Sequence, residues 1–192
     1  MKKSLGPNTL AQPAPVWAVG SYDKNGKPNA MIAAWGGICG SDPACLTVSV
    51  RPSRHTYAGI LKHKAFTVSV STVPVAAEAD FLGMASGGNV DKFAVTGLTP
   101  VKAEFVDAPY IEEFPLVIEC ELKETVDLKA HVMFVGEIRD VKCDEDKLAD
   151  GKYPDPEKVL PLIFSPGTRS YHTVGERIGK GFDMGKKFLK KD

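Results

Sequence analysis

Arg51-Pro52-Ser53-Arg54-His55-Thr56 brings two guanidinium groups, two hydroxyls and an imidazole into six consecutive residues. A phosphate monoester carries nearly two negative charges and many acceptor lone pairs. It is best met by backbone N–H groups at a helix start, by hydroxyl donors and by cations. This turn offers all three. A helix capped by Ser53 and flanked by surface arginines accounts for the same residues without a ligand.

Other residues could complete a site. Asn29 and Trp35 flank the strip Ala30-Met31-Ile32-Ala33-Ala34, whose small side chains would let a flat ligand approach backbone amides. A core tryptophan beside a turn asparagine is the structural alternative. His131 precedes the apolar run Val132-Met133-Phe134-Val135 and could donate a hydrogen bond to an anionic ligand. Lys92, after the Ser86-Gly87-Gly88-Asn89 break, could reach a phosphate or a ring oxygen; as an ordinary lysine it would face solvent. Phe164 reads either as a core plug or as an aromatic wall.

Several chemistries are excluded. Gly179-Lys180-Gly181-Phe182-Asp183-Met184-Gly185 is one residue too long for G-x-G-x-x-G and follows no strand, Gly36-Gly37-Ile38-Cys39-Gly40 is not that fingerprint, and there is no Walker A sequence. His55, His63 and His172 lack metal-ligand spacing, and no Ser-His-Asp arrangement can be assembled. Cys39, Cys45, Cys120 and Cys143 include no C-x-x-C pair, so neither a disulfide scaffold nor a metal framework is expected; Cys45 and Cys120 read as buried thiols.

The elements that must position these residues are mostly strands. Residues 16–22 read as a strand, turned by Asn25-Gly26 into a return strand over 29–35. A loop follows, then an alternating strand over 44–51 and a helix over 55–63 begun by Pro52 and Ser53. Further strands are expected at 65–71, 101–106, 116–122, 131–141 and 159–164, with Lys123-Glu124-Thr125 between the two long ones. A helix is expected at 74–84, and a short helix or a loop at 91–95. Many strands joined by short turns, with few helices, predict a mainly β fold: an antiparallel barrel with appended helices.

The 192 residues suit a single domain spanning 1–192, with no repeat and no dividing linker. Lys+Arg and Asp+Glu both number 24, which leaves no electrostatic footprint for nucleic acid; Lys186, Lys187, Lys190 and Lys191 read as a solvated end. Gly6, Pro7, Asn8, Gln12 and Pro13 interrupt any apolar core after Met1-Lys2-Lys3, and no segment has membrane-span length. A cytoplasmic protein is expected.

Taken in chain order, NAMIAAW at 29–35, RPSRHT at 51–56, AFTVSV at 65–70, DKF at 91–93 and HVMFVGE at 131–137 resemble the flavin reductase-like family of FMN-binding split barrels, and within it the flavoredoxin branch. The resemblance covers residues 15–171; RPSRHT and H-x-x-F-x-G-E are its most specific parts. It implies an antiparallel, Greek-key split β-barrel that binds FMN non-covalently and works as a homodimer. The implied FMN contacts are Asn29, Trp35, Thr56, Lys92, His131 and Phe164, joined by Arg51, Ser53 and Arg54 and by the backbone of Ala30, Met31, Ile32, Ser49 and Val50. The phosphate would lie by Ser53, Arg54 and Thr56. Ile32 and Ala33 stand where a Thr or Ser is common, so ring contacts there rest on backbone groups. The resemblance implies an electron carrier between redox partner proteins, with no catalytic side chain; an NAD(P)H-dependent flavin reductase is the alternative on the same fold. A non-catalytic ligand-binding barrel remains the reading from another class.

Overall fold

The alternation over 44–51 is realised: Leu46, Val48 and Val50 are fully buried, with Cys45, Thr47 and Ser49 half-buried between them. Successive side chains of a strand point to opposite faces, so one face is committed to a core. A computed structural model describes residues 1–189; Lys190 and Lys191 lie outside the described residues. Along the chain run β1 (Ala14–Pro15), β2 (Trp17–Tyr22), β3 (Pro28–Ala33), β4 (Gly36–Ser41), β5 (Ala44–Val50), α1 (His55–His63), β6 (Ala65–Val70), α2 (Ala76–Met84) and α3 (Lys92–Thr96). There follow β7 (Pro100–Lys102), β8 (Pro109–Ile111), β9 (Leu116–Asp127), β10 (Val132–Cys143), β11 (Leu148–Ala149), β12 (Tyr153–Pro154), α4 (Pro156–Val159), β13 (Leu162–Ser165) and β14 (Ser170–Thr173).

Seven strands form one antiparallel sheet in the order β3-β2-β6-β9-β10-β5-β4. Its two edge strands, β3 and β4, are consecutive in sequence and joined only by Ala34 and Trp35. Three Cα steps reach about 11 Å at most, so the opposite edges of a seven-stranded sheet must lie side by side. The sheet therefore curls into a barrel, and because no ladder joins β3 to β4 the barrel is split along that seam. Val19, Met31, Leu46, Val48, Val50, Phe66, Val68, Cys120 and Phe134 fill its interior, with Ile60 of α1 packed among them. The opposite faces of β2 and β3 present Ala18, Ala30 and Ile32 to a second core with Ala79 and Leu82 of α2, Phe93 of α3, Ile111, Phe114 and Leu162. Strands buried on both faces explain the nearly unbroken apolar character of 16–19 and 30–34.

The structure corrects several expected elements. The loop expected between residues 35 and 44 is strand β4; its glycines lower strand propensity, but pairing Gly36 to Val48 and Ile38 to Leu46 with β5 decides the conformation. β9 runs straight through Lys123-Glu124-Thr125, where Glu124 opposes Val135 and Thr125 opposes Phe134. Over 101–106 only Val101 and Lys102 lie in a strand, because the N–H groups of Glu104 and Phe105 donate to the buried carboxylate of Glu119. Over 159–164, α4 runs to Val159, Leu160 turns left-handed, and β13 begins at Leu162. The 23–27 turn is wider than a two-residue hairpin. Asp23 accepts from Asn25 and Lys27 N–H, and only Gly26 has positive φ. Of the two cysteines expected inside, Cys120 is buried and Cys45 only half-buried; all four thiols are free. No described helix is long and apolar enough to cross a membrane.

Candidate functional site

The Ala34–Trp35 crossing lies at the seam between β3 and β4, and a cavity of about 400 Å³ opens beside it. Its floor is Met31, Ile32, Ala33, Ala34 and Trp35; Ser49, Arg51, Arg54 and His131 face them. The Trp35 carbonyl accepts from Ser49 N–H at 2.8 Å, which ties the crossing to β5. One side of the cavity is therefore small and apolar, and the other is cationic and hydrogen-bonding.

The cationic side is the end of β5 and the start of α1. The helix N-cap is Arg54, not Ser53, and no side chain caps it. Ser53 is exposed and takes no part in the lining. Tyr57 N–H turns back to the Arg54 carbonyl at 3.0 Å, whereas the N–H groups of His55 and Thr56 meet no protein acceptor among the described residues. Unmet N–H groups at the positive end of the helix dipole, beside two exposed arginines, form a donor set suited to a phosphate.

His131 lies just before β10 rather than within it, and one of its two ring nitrogens is already engaged by the protein. Its Nε2 accepts from Arg51 Nε at 3.4 Å. Burial, with the Arg51 charge added, lowers its pKa below the ordinary histidine value, so the ring is neutral and carries its proton on Nδ1. The positive charge here belongs to Arg51 and Arg54, and His131 orients one of them.

Asn29 and Thr56, twenty-seven positions apart, meet below the cavity: Asn29 Nδ2 donates to Thr56 Oγ1 at 2.7 Å, and both residues are buried. Gly87 packs on this pair so closely that a Cβ there would lie 2.1 Å from Asn29 Oδ1. Lys92 is 4% exposed rather than on the surface, and its ammonium donates to the carbonyls of Ala30 (2.8 Å) and Leu82 (2.7 Å), tying β3 to α2. Burial, with a smaller contribution from Arg54, lowers its pKa to about 8. Asn29, Thr56 and Lys92 thus do not line this cavity; Asn29 and Lys92 border a much smaller pocket with His55 and Gly87, and Ala30 contributes the carbonyl that holds Lys92. The Val50 side chain lies in the barrel core and the residue is paired with Val132, so only its backbone is left to meet a ligand.

Phe164 lines a second cavity, of about 470 Å³, which shares Ile32, Ala34 and Trp35 with the first. Asp80, Gly83, Met84, Arg169 and Tyr171 also line it, and none of these was singled out in the sequence. Tyr171 donates to Asp80 across ninety-one positions, a pairing with no local signature. Gly87 had a visible trace, a glycine pair after a helix, but its packing against Asn29 had none.

A family model described as a flavin reductase like domain matches residues 10–174. The fold is similar to the solved flavoredoxin of Desulfovibrio vulgaris (Miyazaki F), with 49% identity, a TM-score of 0.92, and coverage of 96% of this chain and 100% of that one. A flavoredoxin from Methanosarcina acetivorans is 30% identical with a TM-score of 0.89, over 98% of this chain and 100% of that one. A high molecular weight rubredoxin of Moorella thermoacetica is 33% identical over 103 residues, 52% of this chain and 43% of that protein.

Proposed function

Because this chain belongs to the flavin reductase-like family, we propose that it binds FMN non-covalently and carries electrons between redox proteins. The observation that carries this reading is the 49% identity with a flavoredoxin, shared from end to end. The partial likeness to a high molecular weight rubredoxin also points to electron exchange with another redox protein. The cavity fits the cofactor in kind. Its volume is that of a small-molecule site, and it has a flat apolar floor and a cationic end.

FMN, when bound, supplies the redox chemistry. Arg51, Arg54 and the first N–H groups of α1 hold its phosphate. The strip from Ile32 to Trp35 takes its ring, with Trp35 as aromatic cover and Ser49 beside it. His131 keeps the Arg51 guanidinium aimed into the site, and Lys92 fixes the backbone of β3 from behind. No side chain is assigned as acid, base or nucleophile. Homodimerisation and a cytoplasmic site of action belong to this reading. The exposed apolar side chains of Ile178, Phe182, Phe188 and Leu189 support a second copy as their cover.

The visible spectrum of the purified protein tests the cofactor. Yellow protein that releases FMN on denaturation supports the reading; colourless protein that stays so after soaking in excess FMN refutes it. Anaerobic reduction tests the role. Bleaching by NADH only when a redox partner is supplied supports the carrier, whereas rapid NAD(P)H oxidation by the pure protein would make it a flavin reductase.

A further inference from the structure

We propose that Cys39 and Cys45 are a redox-modified pair, oxidised by hydrogen peroxide to a disulfide that staples the free edge of the barrel. Five residues separate them, a spacing that matches no thiol motif, and the β4–β5 hairpin brings them together. Leu46 is fully buried in the barrel core, so its neighbour Cys45 is on the outer face of β5. Ile38 opposes Leu46, which puts Cys39, the next residue along β4, on that outer face as well. A bulge between Ile38 and Gly40 then sets two residues, Cys39 and Gly40, against Cys45. Residues opposed across an antiparallel ladder have Cα atoms about 4.5–5.5 Å apart, a span a disulfide bridges. A Cβ built on Gly40 would lie 3.4 Å from Cys45 Cβ, and glycine leaves that space to the Cys39 sulfur. The other two thiols are placed elsewhere: Cys120 is in the barrel interior, and Cys143 ends β10 opposite Leu116.

Cys39 is exposed and meets the oxidant first; Cys45 is half-buried behind it. Burial, with Cys45 beside it, raises the Cys39 pKa, so the attacking thiolate forms in alkaline solution. Its sulfur attacks one peroxide oxygen, the O–O bond breaks, and Cys39 becomes a sulfenic acid as hydroxide leaves. The Cys45 sulfur then attacks the Cys39 sulfur. The S–O bond breaks, and its hydroxyl leaves as water with the Cys45 proton. The two thiols have given two electrons to peroxide, and two waters are formed in all. β4 is where such a staple has most to hold. It is an edge strand paired only with β5, and three of its six residues are glycine. It follows directly on the Trp35 crossing, so the staple also holds one lip of the seam. None of this rests on the FMN reading.

The test treats the full chain with hydrogen peroxide at pH 9, alkylates the remaining thiols and digests with trypsin without reduction. No lysine or arginine lies between Pro28 and Val50, so both thiols fall in one peptide. That peptide should escape alkylation, be two hydrogens lighter than after dithiothreitol, and give no fragments between residues 39 and 45 until it is reduced. The β4 amides of the oxidised chain should exchange hydrogen about ten-fold or more slowly than those of the reduced chain. Neither side chain is in the interior core, so Cys39→Ser and Cys45→Ser should fold. Cys45→Ser should leave Cys39 as a sulfenic acid that dimedone traps, and Cys39→Ser should form no link at Cys45. Free thiols at both positions after treatment, or a Cys39 disulfide between two chains, would overturn the proposal. A Cys45–Cys120 link or unchanged exchange in β4 would overturn it too.

Discussion

Replacing Lys92 with Met would test the buried strut behind the site. Met preserves the unbranched stem but leaves the carbonyls of Ala30 and Leu82 without their donor. Each orphaned buried acceptor costs about 1–3 kcal/mol, partly offset because a charged group no longer has to be desolvated. A net loss of about 2–4 kcal/mol corresponds to a Tm lower by about 4–16 °C for a domain of this size. The pH dependence adds a signature that simple packing loss lacks. The folded protein sheds the Lys92 proton near pH 8, whereas the unfolded chain keeps it to the ordinary value of 10.5. Between those values the unfolded state binds more protons, so stability rises with pH across that window. The neutral amine still has two N–H groups, enough for both carbonyls. Chemical denaturation at pH 7, 8, 9 and 10 reads both effects. The wild-type chain should gain stability from 8 to 10 relative to Lys92→Met, whose curve lacks that contribution. Equal stability of the two proteins at pH 7, or parallel pH curves, would refute the strut.

Three further outcomes follow from the same geometry. The double variant Arg51→Ala/Arg54→Ala removes both cations from the cavity and should weaken FMN retention by about ten-fold or more, measured by equilibrium dialysis; unchanged retention would move the phosphate elsewhere. Nitrogen NMR of the histidine rings should show His131 neutral at pH 7 with its proton on Nδ1, and Arg51→Ala should raise its pKa by removing a neighbouring positive charge. Gly87→Ala would place a Cβ against Asn29 Oδ1 and displace the Asn29–Thr56 bond; a loss of about 1–3 kcal/mol is expected in urea unfolding.

The sequence by itself determined the elements whose apolar pattern is local. The alternation of Leu46, Val48 and Val50 marks β5, and the segment after Pro52 starts a helix that spans His55–His63 as expected. The turn delivering Arg51 and Arg54 to one place was legible because those residues are neighbours in the chain, as were Trp35 and the small strip before it. Tertiary structure alone decided which of these residues face the cavity. Ser53 looks like a cap, but Arg54 takes that position. Lys92 looks exposed, but α2 and β3 close over it and supply two carbonyls. His131 looks like a donor, but only the Arg51 contact at Nε2 selects Nδ1 as the nitrogen left to donate. β4 was hidden because its glycines carry little propensity of their own and its pairing with β5 sets its shape. The physical reason is common to all four. A side chain's charge state, burial and hydrogen-bond role depend on which groups from distant parts of the chain surround it, and only the closing of the barrel at the Ala34–Trp35 seam selects those neighbours.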